Sequence, residues 1–503
     1  MTLSRRRFIG AMSVGAGGVL LPLWSHSQNL QALNRELKIP EMLTGESRNG
    51  RRHFSLTAQH GNSKFLAGLT TPTMGINGAY LGPTIRFTNG DDVAMHVENL
   101  LGEPTTLHWH GLHVPAKADG GPSQVIETDN TWNPEFSIMQ RGGTFWYHSH
   151  LLARTGEQVY SGLAGMIIID DEENQQSTLP SNYGVDDIPL IVQDRRFNQD
   201  GSFAYVTSHR DIMTGMFGDT ILVNGTMPPR FSPSTSKVRF RLLNAANART
   251  FNFAFDDGRQ FQQVASDGGL LEQALELRVL ELAPSERAEI VVDFSDGQPV
   301  NLISLPMAQD SPFATQGMMR NMHPINTETF QILELQPQSK IETSEVIKPI
   351  LSNIPRIDES EAVISRQLTL NMGMGRRGQG RNGNRHGMMG GGNFFINNQA
   401  MDMDVINYRV KTNDTEIWEI SNDSMMMHPF HIHHSQFQLL DRNGRKPAPN
   451  EMGFKDSVKI GPGETVRFIM RFENFSDSET PYMYHCHILE HEDNGMMGQF
   501  VVE

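Results

Sequence analysis

The chain has a single cysteine, Cys486, among 503 residues. No disulfide can form within it, so the thiol is either a buried bystander or a ligand. Positive charge is also scarce: 42 Lys and Arg stand against 57 Asp and Glu, for a net charge of −15. No Lys/Arg-rich face is evident, which excludes nucleic acid as a partner. Long hydrophobic runs are missing too. The apolar stretch from Ile9 to Trp24 is too short and too rich in glycine to span a membrane, so no stable membrane anchor is expected. No long amphipathic helical pattern stands out. What remains, 38% hydrophobic and 20% charged residues, is the composition of a soluble globular protein, and the length implies two to four domains.

What the chain does have is short strands broken by Gly, Pro, Asn and Asp. "TIRFTNGDDVAMHVEN", "KVRFRLLN", "RAEIVVDF" and "TVRFIMRFEN" alternate with period two and are rich in β-branched and aromatic residues. A weak internal repeat organises them. "DDVAMHVENLLGEPTTLHWHGL", "SKVRFRLLNAANARTFNFAFDD" and "DTEIWEISNDSMMMHPFHIHHS" each read as a strand, a polar turn and a second strand. The first and third copies end in His-x-His; the second has Phe251 to Phe253 there. An all-β chain of three homologous sandwiches is expected, at 29–172, 186–336 and 365–503, with the chemistry in the first and third. The segment 371–392, rich in Gly, Arg and Met, cannot bury a core and is expected to be a mobile loop.

Ten of the 19 histidines fall in four short clusters: His108 and His110; His148 and His150; His428, His431 and His433; His485, His487 and His491. On a strand His-x-His puts both imidazoles on one side, so four such pairs can converge on one site. Imidazole suits copper, zinc and iron. In an extended "HCH", His485 and His487 face one way and Cys486 the other. Cys486 then belongs to a second metal site, back to back with the first. Its companions are His491, Met496 and His428, the last an odd number of residues before His431. Two His, one Cys and a weak axial Met form the ligand set of a blue-copper electron-transfer centre. A strand rise of roughly 3.3 Å per residue plus two side chains places the two sites on the order of ten Å apart. Structural zinc closes at four ligands, too few for this set.

With these four motifs, nearly all of the chain after the N-terminal stretch resembles a multicopper oxidase, the family of laccases, ascorbate oxidase, bilirubin oxidase and the bacterial copper efflux oxidase. The resemblance implies three cupredoxin-like Greek-key sandwiches and four copper ions. Type 1 copper would be held by His428, Cys486, His491 and, axially, Met496. Type 2 copper would take His108 and His431. One type 3 copper would take His110, His148 and His487, the other His150, His433 and His485. Asp119 and Glu492 match the family's proton-delivering acids. The reaction implied is four one-electron oxidations of a reductant coupled to reduction of dioxygen to water. The chain keeps every ligand, unlike copper-free relatives that serve in cell division as scaffolds.

The N-terminus, with Arg5 and Arg6 before the apolar stretch and small residues at Ser25 and Ser27, resembles a twin-arginine export signal over 1–28. It implies a periplasmic protein and the twin-arginine machinery as a partner; a monomer is expected. "HPFHIH" and "LEHEDNGMM" look most like the copper efflux oxidase, which oxidises cuprous ion for copper tolerance. Soft thioethers favour that ion, and Met372, Met374, Met388, Met389, Met401, Met403, Met425, Met426 and Met427 are candidates. The acids that hold the substrate ion in that enzyme fall here on Arg377 and Ser424, with Asp423 one residue away as a substitute. Met372, Met426 and Asp423 are therefore the candidate cuprous site, and a laccase-like oxidase of small phenols or aromatic amines stays open as the alternative.

Overall fold

The computed structural model describes residues 35–317, 328–373 and 394–503. The expected export signal at 1–28 lies outside them, as does all but 371–373 of the Gly/Arg/Met segment. Among the described residues no helix is long and apolar enough to cross a membrane.

Strands dominate, and they form six sheets in three pairs. One pair is built from strands between Met42 and Asp170, the next from strands between Asp187 and Leu335, the last from strands between Ala362 and Val502. Each pair is a cupredoxin-like sandwich whose inner faces meet in an apolar cluster. Alternation shows in the burial itself: along Thr415–Asn422 the residues Trp418 and Ile420 are buried while Ile417, Glu419 and Ser421 between them are not. In the second sandwich Phe251 and Phe253, standing where the other copies carry His-x-His, are fully buried in its core. That sandwich spends on packing the positions that the others spend on imidazoles.

The sandwiches are fastened to one another. Trp146, Met166 and Ile168 of the first pack on Ile191 and Leu243 of the second. The third meets the first where Met401, Met483 and Met497 pack with Leu152. Two short helices close the chain around the site. His209–Thr214 starts from a Ser208 cap that accepts from Asp211 N–H, and Leu489–Asp493 follows directly on the last histidine-rich strand.

Candidate metal centre

The strand Asp477–Cys486 runs antiparallel to His428–Ile432, with Phe430 opposite Cys486 and His431 opposite His485. Directly opposed residues share a face. Cys486 and Phe430 therefore enter the third sandwich's core, where Met426 and Met496 lie in the same cluster. His431 and His485 leave by the other face. His428, two residues before Phe430, shares the cysteine's side. His491 sits on the helical turn Leu489–Asp493, which brings it back over the thiol. Its Nδ1 is 3.8 Å from Cys486 Sγ, the Nδ1 of His428 is 3.4 Å from Sγ, and the two nitrogens are 3.3 Å apart. Backbone bonds tether Met496 beside them: its N–H donates to the His491 carbonyl at 2.9 Å and its carbonyl accepts from Cys486 N–H at 3.0 Å.

Burial holds the His428 imidazole down at about 3 and pushes the Cys486 thiol well up. The Ile488 N–H, 3.4 Å from Sγ, favours the thiolate. His491 Nε2 donates to the Met213 carbonyl at 3.3 Å, so in its neutral form the ring turns a bare lone pair at Nδ1 toward the sulfur. His428 Nε2 meets Ser424 Oγ at 2.8 Å, and Phe394 stacks on His491 with ring centroids 4.2 Å apart.

On the opposite face eight imidazoles converge, all buried. His108–His110 pairs with Gly143–His148, which sets His108 against His148. His108 stacks on His433 and His110 on His431, with centroids 3.9 and 3.7 Å apart, so the first and third sandwiches interleave their rings. Hydrogen-bond chemistry sets the tautomers. The Nδ1 atoms of His108, His148, His431 and His485 face the backbone carbonyls of Asp119, Ser149, Asp456 and Cys486, which can only accept. His433 Nδ1 donates to Asp119 Oδ2 at 2.7 Å. The Nε2 atoms of these rings are then bare lone pairs, yet they face one another. His433 Nε2 lies 3.4 Å from His485 Nε2, and His485 Nε2 lies 3.2 Å from His150 Nε2. His148 Nε2 lies 3.4 Å from His110 Nδ1.

Opposed lone pairs at such distances repel unless a cation sits between them. Burial and the neighbouring rings also hold His110, His148, His431, His433 and His487 well below the usual imidazole range, so protons do not fill the gaps. Among the described residues His108 Nε2, His431 Nε2 and both nitrogens of His487 are buried without a hydrogen-bond partner, a costly state without a ligand. Three histidine triplets bring their nitrogens within 4.8 Å: His108, His110 and His148; His108, His431 and His433; His150, His433 and His485. His487 belongs to none of them, but its ring lies 5.0 Å from His110 and 5.3 Å from His148. The donor set fits soft to borderline metal ions at two places that share the segment 485–487.

Both sequence-selected acids touch the imidazoles. Asp119 Oδ1 is buried and unpartnered, while Oδ2 serves His433. Glu492 spans two rings, 3.3 Å from His150 Nδ1 and 3.1 Å from His485 Nδ1. Burial alone would raise its carboxyl, but these two imidazoles outweigh burial and hold it at about 2. Sequence reasoning passed over Asp456, whose Oδ1 lies 3.2 Å from His110 Nε2, and Arg287, which grips that carboxylate. Neither residue carries a signal in the sequence; burial and pairing mark them only in the structure. Of the candidate cuprous site, Met426 is buried beside Cys486, Met372 packs against the same core, and Asp423 is exposed on the connecting turn. Met401 and Met427 are also buried, whereas Met403 and Met425 are exposed. Met374, Arg377, Met388 and Met389 lie outside the described residues.

A family model described as multicopper oxidase matches residues 57–174, and a second with the same description matches residues 376–503. Over 93% of its length the chain is 37% identical to "Multicopper oxidase mco" of Staphylococcus haemolyticus, covering 92% of that protein. Over its full length it is 33% identical to the cell division protein FtsP of Proteus mirabilis, covering 99% of that protein. Among solved structures, the bacterial laccase-like multi-copper oxidase CueO of Ochrobactrum sp. is 33% identical and superposes with a TM-score of 0.81, over 93% of this chain and all of the other. That protein is described as having oxidase activity towards lignin model compounds and lignosulfonate.

Proposed function

Because the chain belongs to the multicopper oxidase family, we propose that it couples four one-electron oxidations of cuprous ion to the reduction of dioxygen to water, as a periplasmic monomer exported by the twin-arginine route and serving copper tolerance. The observation that carries the oxidase reading is the His428–Cys486–His491 triangle, which turns its back on eight facing imidazoles across one strand. In this reading His428, Cys486, His491 and Met496 hold the mononuclear copper. His108 and His431 hold one ion of the three-metal site, His110, His148 and His487 the second, and His150, His433 and His485 the third. Bound copper would supply one-electron redox change at the first site and dioxygen reduction at the second.

The chain's own part is positioning, water exclusion and proton supply. Every residue in these sets is buried. The free Cys486 thiol is protonated, so metal uptake there releases a proton. Bonds through Cys486 to His485 and His487 give a continuous covalent path between the sites. Asp119 keeps one carboxylate oxygen free beside His108 and His433, and Glu492 bridges His150 and His485. Each puts a carboxylate oxygen at the border of the three-metal site, where dioxygen reduction would consume protons.

The outer edges of both mononuclear-site imidazoles support a cuprous reductant. His491 Nε2 is engaged by the Met213 carbonyl and His428 Nε2 by Ser424 Oγ. A phenol therefore finds no imidazole edge open to it, whereas thioethers at Met372, Met425 and Met426 suit a soft ion. The exposed Asp423, with Ser424 in the place of an acid, favours the laccase-like alternative. Oxygen uptake by one copper-loaded preparation, with cuprous ion and with a panel of phenols, separates the readings. Cuprous-driven uptake at least tenfold faster is expected. Uptake with phenols alone would leave a laccase-like enzyme, and none with any reductant would leave a copper-binding scaffold.

A further inference from the structure

A charge pair beside the imidazoles has no part in the roles assigned above. Asp456 precedes the strand Ser457–Ile460 of the third sandwich, and Arg287 opens the strand Arg287–Asp293 of the second. A guanidinium has five N–H donors, and all are used. Nε donates to the Thr144 carbonyl at 3.0 Å, Nη1 to the Ser285 carbonyl at 3.2 Å, and Nη2 to the Asp267 carbonyl at 3.0 Å. Nη1 and Nη2 also each donate to one Asp456 oxygen at 2.6 Å. The acceptors come from all three sandwiches. Arg287 and Asp456 are each 1% exposed, so the pair is shielded from water and salt.

Asp456 reaches two of the eight imidazoles. Its backbone carbonyl accepts from His431 Nδ1 at 2.7 Å, and its Oδ1 lies 3.2 Å from His110 Nε2. His110 is thereby turned round relative to its neighbours. It points Nδ1 at the centre, where His108, His148, His431, His433 and His485 point Nε2. A carboxylate that already takes two guanidinium N–H bonds cannot donate, so the proton of neutral His110 must sit on Nε2. The same saturation argues against Asp456 as a metal ligand. Space is tight as well: a side chain at Gly111, which has φ +86°, would meet Asp456 Oδ2 at 2.5 Å.

We propose that Asp456, clamped by Arg287, is a positioning residue of the three-metal site. It fixes the tautomer and ring orientation that turn His110 Nδ1 toward copper, and it gives the second sandwich, which lacks His-x-His, a direct part in the chemistry. The inference rests on the copper-holding role of the eight imidazoles. Its test is a chelator-competition titration of full-length Asp456→Asn, read by copper per chain and by the blue absorbance of the mononuclear site. The amide keeps the shape but offers an N–H as well as an oxygen, so it no longer dictates the His110 tautomer. The expected result is an unchanged blue band with copper at the other site bound about 10- to 100-fold more weakly. The double variant Arg287→Met/Asp456→Leu removes both charges at similar volume and should lose copper at the three-metal site while staying blue. Three-metal-site affinity within twofold of wild type in either variant would overturn the proposal. So would loss of the blue band in both, since the pair would then be holding the fold rather than the imidazole. Wild-type protein that failed to take up four copper ions would instead refute the copper assignment itself, a separate and recognisable outcome.

Discussion

Cys486 is fully buried among Phe430, Met426 and Met496, where a free thiol gains nothing beyond the packing of a small apolar group. Its worth lies in its neighbours: two imidazole nitrogens within 3.8 Å and a backbone N–H at 3.4 Å. Serine at this position keeps the size but is a poor ligand for a soft metal. Cys486→Ser should therefore lose the blue absorbance, one copper per chain and all turnover. Without metal it should still fold, with a melting temperature only several degrees lower, because burying one hydroxyl costs about 1–3 kcal/mol. A blue Cys486→Ser protein would refute the mononuclear assignment. Residues of this kind were legible in the sequence because histidines and a lone cysteine at fixed offsets are rare. Asp456 was not, because one acid among 57 Asp and Glu carries no mark until its partners are seen.

Elements decide which way those residues point. Period-two spacing foretold that His485 and His487 would part from Cys486, and the pairing of Phe430 with Cys486 and His431 with His485 puts that division into the sheet. Sequence spacing did not reveal the register itself, which depends on what each strand finds across the gap. It also missed that His491 stands on a helical turn, where strand parity has no meaning. A turn does comparable work on the other side of the site. Gly120 follows Asp119 with φ +79°, and a Cβ there would lie 1.9 Å from the Leu107 carbonyl oxygen. Only glycine lets the Asp119 carbonyl reach Trp109 N–H at 3.3 Å and His108 Nδ1 at 2.8 Å. Gly120→Ala should cost roughly 1–3 kcal/mol in backbone strain alone. Calorimetry should show a melting temperature lower by at least about 2 °C, and copper at the three-metal site should be lost before the blue band. Unchanged melting with full copper content would mean that the turn does not set Asp119.

At the scale of the whole molecule, the second sandwich holds the other two in place through buried charge. Glu289 Oε1 accepts from Thr144 Oγ1 of the first sandwich at 2.6 Å and from Arg241 Nη1 at 2.7 Å. Oε2 accepts from Arg239 Nε at 2.7 Å, and Arg239 Nη2 bonds the same oxygen. Burial by itself would raise the Glu289 carboxyl, but the two guanidiniums more than offset it and hold it at about 2, against 4.5 for the ordinary side chain. A carboxyl with a lowered folded pKa stabilises the fold fully above its unfolded value and loses that contribution as pH falls through the folded one. The shift corresponds to about 3 kcal/mol, present at neutral pH, declining below pH 4.5 and gone below about pH 2. Glu289→Gln should therefore melt well below wild type at pH 7, by an amount that stays constant down to about pH 5. The gap should then close as wild type itself is protonated. Melting curves of both proteins at pH 7, 5 and 3 check this. A gap that widened on acidification would mean that the side chain's shape, and not its charge, joins the first sandwich to the second.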